Sequence, residues 1–127
     1  MSQSIDVRFE KECNVLHALN PSVESVIVIE SSGLLVLKWS SIKVDTEFTS
    51  SYVREFFSLV KMTTNHYQIG DPVGVMLDGA QGFFLVFKTK SNNSIVILIK
   101  EATDRSTLRY RLMKDFAVRV ESILENF

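Results

Sequence analysis

Apolar residues fall along this chain in two rhythms. Near the N-terminus Ile5, Phe9, Cys13, Leu16 and Leu19 recur at spacings of three and four, which predicts one face of a helix over 5–19. Ser4 is placed to cap it, and Asn20-Pro21 ends it because the residue before a proline disfavours helical angles. The pattern then changes to unbroken apolar runs. "VESVIVIESSGLLVLKWS" carries two of them, Val26 to Ile29 and Leu34 to Trp39, on either side of a turn at Gly33. A strand buried on one face alternates apolar with polar residues, so these runs predict strands near 23–30 and 33–40 that are covered on both faces.

A second helix is expected over 46–65, capped by Thr46 or Asp45. Phe48, Tyr52, Phe56, Leu59 and Val60 form its apolar stripe, and Val53, Phe57 and Met62 lie off it. That apolar surface is wider than one contact with a sheet requires, and a second contact surface would account for the width. After the loop 66–72, Val73 to Asp78 alternates, with Val73, Val75 and Leu77 on one side. Gly82 to Thr89 and Ile95 to Ile99 are again unbroken, and read as central strands. The last helix, 104–126, carries Leu108, Leu112, Phe116, Val120, Ile123 and Phe127 on one face, with Asp104 as its expected cap. The order is helix, two strands, helix, three strands, helix. Tight connections within each strand group favour antiparallel pairing. Strands with apolar residues on both faces call for helices on both sides of the sheet, the first and last on one side and the middle one on the other.

Composition narrows the function. The 127 residues, with no long flexible linker, suit a single domain over 1–127. A formal net charge of −1 argues against a broad nucleic-acid footprint. One cysteine excludes an intrachain disulfide framework and a multi-thiolate metal site, and points to a reducing compartment. No signal-peptide pattern opens the chain, and the longest apolar runs are far too short for a membrane-spanning helix. A cytoplasmic protein without membrane insertion is expected.

Candidate chemistry is sparse. Cys13 and His17 sit one helical turn apart, a spacing that can hold a metal, but two ligands without neighbours make a poor site. His66 is isolated. No Gly-x-Ser-x-Gly elbow appears, and Gly70, Gly74, Gly79 and Gly82 form neither a phosphate loop nor a dinucleotide fingerprint. Asp71 and Asp78 fall near opposite ends of one expected strand, which separates them as an acid–base pair. No catalytic, cofactor or metal residue is assigned. Arg105, Arg109 and Arg111 would suit an acidic partner surface or phosphate groups, set against the plainer reading of a solvated helix face.

At this point the element order and the local sequences resemble the roadblock family, the light chain of dynein and its relatives. The resemblance covers nearly the whole chain. "VESVIVIESSGLLVL" is similar to the family's opening hairpin, "GFFLVF" and "SIVILI" to its later central strands, and "DRSTLRYRLMKDFAVRVESIL" to its closing helix. The resemblance implies an α+β sandwich with a five-stranded antiparallel sheet in the order 2-1-5-4-3, which puts strand 73–78 at an edge. It implies pairing through that edge and the middle helix, as a homodimer or with another roadblock chain. Tyr52, Val53, Phe56, Phe57, Val60, Val73, Val75 and Leu77 are the expected interface residues. It further implies a non-enzymatic scaffold for small Ras-like GTPases or adaptor complexes, with the three arginines as candidate partner contacts. Two other classes remain: a longin-like trafficking module, which would begin with strands, and a small-ligand sensor of PAS or profilin type, which would need a cavity between sheet and helix.

Overall fold

The computed structural model describes residues 4–41, 43, 45–100 and 106–125. Helix α1 (Ile5–Leu19) leads into strands β1 (Val23–Ile29) and β2 (Leu35–Ser40). Helix α2 (Thr46–His66) follows, then β3 (Gly74–Gly79), β4 (Gly82–Lys88), β5 (Ser94–Ile99) and helix α3 (Ser106–Glu125). The strands form one antiparallel sheet in the order β2-β1-β5-β4-β3, as the resemblance implied. Helix α1 is formed and precedes the β1–β2 hairpin, an order unlike that expected of a longin domain.

Both long caps sit where the sequence placed them. Ser4 accepts a hydrogen bond from the Val7 amide at 3.3 Å, and Asp45 from the Phe48 amide at 3.0 Å. Each satisfies an amide that the first turn leaves without an intrahelical partner, worth about 1 kcal/mol. The expected cap Asp104 lies outside the described residues.

Alternate side chains of the three interior strands feed two apolar layers. Val26 and Val28 of β1, Phe83, Leu85 and Phe87 of β4, and Ile95, Ile97 and Ile99 of β5 pack on one side. There they meet Phe9, Cys13 and Leu16 of α1 and Met113, Phe116, Ala117 and Val120 of α3. On the other side Ile27, Ile29, Val86 and Val96 meet Val53 and Phe57 of α2. The unbroken runs in β1, β4 and β5 are therefore explained by helices on both faces.

β2 departs from that reading. It is an edge strand, and only Leu37 is buried, with Trp39 half-buried beside it on the α1 face. Leu34, Leu35 and Val36 are exposed, so the apolar run here does not signal two covered faces. The third helix also turns slightly from its expected register. Met113 takes the buried position, while Leu112 is 43% exposed, because the shorter path to the sheet lies along 113, 116, 117 and 120. Leu19 is exposed as well, one turn beyond the end of α1's contact with the sheet.

One glycine is fixed by close approach. A side chain at Gly82, where β4 begins, would run into the Ile99 carbonyl oxygen and crowd Lys100 Cα, both backbone atoms of the neighbouring strand. Only hydrogen fits without displacing β5.

Candidate interface on the middle helix and third strand

The α2 positions buried against the sheet are Thr49, Val53 and Phe57. This corrects the expected stripe: Val53 and Phe57 face inward, and Phe48, Tyr52 and Leu59 face out. Thr49 occupies a core position because its hydroxyl is satisfied locally, donating to the Asp45 carbonyl at 2.9 Å. A threonine with its hydrogen bond made costs little to bury.

Turning 53 and 57 inward presents a row of aromatic rings on the flank of α2. Phe48 stacks on Tyr52 with ring centroids 5.8 Å apart, and Tyr52 on Phe56 at 5.6 Å, with interplanar angles of 9° and 13°. Spacing of i, i+4 along a helix brings such side chains together. Tyr52 also meets the edge of Phe84 on β4 at 6.1 Å, which ties the row to the sheet. Phe84 lies opposite Leu77 of β3 in the ladder, and Val86 opposite Val75. The apolar surface thus continues from the helix across β4 to the strand at the edge of the sheet.

Among the described residues β3 pairs only with β4, which leaves its outer row of backbone amides and carbonyls open. Phe48 is 66% exposed, Tyr52 36% and Leu77 40%, while Phe56, Val60 and Val75 are half-buried. Val73 is exposed and stands just before the strand, its carbonyl accepting from the Lys88 amide at 3.0 Å. Six of the eight expected interface residues therefore lie on or beside this face, and Val53 and Phe57 lie beneath it in the core. Phe48, in the stretch 48–62 where a second subunit is expected, extends the row, and Phe84, which the sequence marks only as a central-strand residue, joins it from β4. The signal for the row was the i, i+4 run of three aromatic rings.

Of the three arginines expected to meet a partner, only Arg111 has a described side chain. Arg111 is exposed on α3, across the sheet from α2; Arg105 and the side chain of Arg109 lie outside the described residues. The Cys13–His17 pair is likewise no ligand set. His17 Nδ1 lies 2.9 Å from the Val23 carbonyl oxygen, a hydrogen bond in which the ring nitrogen donates, and its ring packs on Trp39 at 5.1 Å. Cys13 is fully buried, and its pKa is pushed far up, first by loss of hydration and then by the charges of Glu12 and Glu10. Its thiol is expected to stay silent toward a thiol-specific reagent in the native protein and to react at once in denaturant, since the thiolate is the nucleophile. Titration with such a reagent checks this, and rapid native labelling would place the thiol at the surface. The same burial makes unfolding easier at high pH: above about pH 9 the unfolded chain loses the Cys13 proton that the native chain keeps.

No protein-family model and no curated protein matches the chain. Solved structures do. Myxococcus xanthus MglB superposes with a TM-score of 0.77 at 15% identity, covering 94% of this chain and 97% of that one. An MglB with a tetrameric arrangement gives a TM-score of 0.82 at 9% identity, covering 99% and 94%. A roadblock domain from Streptomyces avermitilis gives 0.71 at 16% identity, covering 92% and 95%. The chain has the roadblock fold. At these identities side chains have diverged almost completely, so the likeness concerns the path of the backbone. Within the roadblock fold of this chain, the β3 edge and the aromatic flank of α2 form one continuous face. No helix among the described residues is long and apolar enough to cross a membrane.

Proposed function

We propose that this chain is a single roadblock-type domain acting without catalysis in the cytoplasm. It pairs with a second roadblock chain, its own copy or another, and the pair serves as a platform for a small Ras-like GTPase or an adaptor complex. The observation that carries this reading is the aromatic row of α2 running through Phe84 to Leu77 beside the open edge of β3. An open strand edge is a template for another strand, and β-proteins usually blunt such edges with charge or cover them. This edge is flanked by rings, which are enriched where protein surfaces meet. Two copies meeting edge to edge about a two-fold axis would satisfy the open backbone groups of both and shield both aromatic rows. The roadblock fold supports the same reading, and the tetrameric arrangement of an MglB shows that one protein of this fold assembles with itself.

Light scattering on the purified chain at high micromolar concentration tests the first half. The expected mass is twice that of the 14.4 kDa chain, and a strictly monomeric protein would remove self-pairing. Affinity purification with GDP- and GTP-analogue-loaded extract tests the second half. Recovery of a small GTPase in one nucleotide state supports the platform, and recovery of neither a GTPase nor an adaptor overturns it.

A further inference from the structure

The flank of α2 opposite the aromatic row has the contrary character. Arg54 and Lys61 of α2 and Lys88 and Lys90 at the end of β4 line one cleft of about 700 Å³, with Asp71 as its sole carboxylate lining residue and the Phe57 ring in its floor. A chain of net charge −1 thus gathers four cations against one carboxylate in a single concavity. Cleft volumes of about 300–1,000 Å³ are typical of small-molecule sites.

These cations are not spent on internal pairing. Among the described residues, none of the four is in an ion pair. Lys88 is half-buried, its ammonium 4.9 Å from the centroid of the Phe57 ring, and burial lowers its pKa without a carboxylate to offset the loss of hydration. A buried cation is ordinarily paired, so this arrangement leaves a favourable position for an anion. Arg54 is held in place on the other wall. Its aliphatic stem lies against Gly33 in the turn between β1 and β2, where any Cβ would meet Arg54 Cδ at 2.7 Å. The glycine has φ +92°, so the turn both tolerates and requires it.

We propose that this cleft binds a small ligand carrying at least two phosphate groups, one gripped from the helix by Arg54 and Lys61 and one from the strand by Lys88 and Lys90. Guanidinium and ammonium groups drawn from two elements suit a polyanion better than a single carboxylate, because four cations against one carboxylate leave charge for more than one anionic group. Ser58 lines the same cleft, its hydroxyl donating to the Arg54 carbonyl at 3.3 Å. Phosphates of this kind come either on a soluble metabolite or on an inositol lipid headgroup.

Calorimetric titration with inorganic pyrophosphate, and sedimentation with phosphatidylcholine vesicles containing a phosphatidylinositol bisphosphate, distinguish the two sources. Saturable binding of either probe is expected, weakened by added salt. Lys88→Gln and Lys61→Gln should each lower the affinity at least tenfold, while Lys38→Gln, on the far edge of the sheet, should leave it unchanged. Binding of pyrophosphate assigns a soluble ligand; binding of the vesicles alone assigns the headgroup. If Lys88→Gln disturbs folding, Lys61→Gln and Lys90→Gln carry the test, since both side chains are exposed. Failure of both probes to bind, or equal binding by the variants, overturns the proposal. The aromatic row lies on the other flank of α2, so this outcome is independent of whether the chain pairs.

Discussion

Replacing Phe116 with alanine should lower the free energy of unfolding by about 3–5 kcal/mol, a large share of the roughly 5–15 kcal/mol that holds a domain of this size together. Phe116 is fully buried in the layer where α1 and α3 meet the sheet. Truncation removes its apolar transfer energy and leaves a cavity in a layer of buried side chains. Urea denaturation followed by circular dichroism measures the change, at several protein concentrations so that any coupling to self-association is visible. Leu112→Ala, four residues earlier on the same helix, provides the contrast. Its side chain is 43% exposed, and a loss within about 1 kcal/mol is expected. Equal losses at the two positions would show that α3 docks in another register.

The second large effect falls on association. Tyr52→Asp should weaken self-pairing at least a hundredfold, about 3 kcal/mol, within the range seen for aromatic anchors at the centre of an interface. It places a carboxylate in the middle of the stacked row, where pairing would strip its water without offering a cation. The isolated chain should tolerate it, because Tyr52 is already 36% exposed. Leu77→Asp on β3 should act similarly, and Val118→Asp, an equally apolar change on exposed α3, should not. Analytical ultracentrifugation across a concentration series reads all three. Phe57→Asp would be a poor probe of the same surface: the ring is buried against the sheet, and a charge there would unfold the chain before reporting on a partner.

Much of this architecture was legible in the sequence, though not all by the same route. Runs such as Phe83 to Phe87 and Ile95 to Ile99 announce strands covered on both faces, and the structure covers them so. The strand order was not in the pattern; it came with the family resemblance. The second helix defeated the pattern because it is apolar on too many sides. Phe48, Tyr52, Phe56 and Leu59 make the better-looking stripe, yet Thr49, Val53 and Phe57 reach the sheet. A threonine that ties its own hydroxyl to the backbone looks polar in a sequence and behaves as core. β2 misled for the opposite reason: an apolar run reads as buried, and hydropathy has no knowledge of which strand stands last. The basic cleft was invisible because its charges are scattered over residues 54, 61, 88 and 90 of a chain whose net charge averages them away.

The sheet has two ends, and they are chemically unlike. β3 ends it beside stacked rings; β2 ends it beside Leu34, Leu35 and Val36, with Lys38 further along. A protomer with two open edges is a bifunctional monomer in the polymer chemist's sense. Under the proposed pairing, joining at β3 would consume one function of each partner and leave the pair with a β2 edge at either extremity. A bond there would add pairs end to end, and no ring would close the series. In the proposed pair, further growth would turn on β2, where exposed Leu34, Leu35 and Val36 favour a further strand and the charge of Lys38 opposes it.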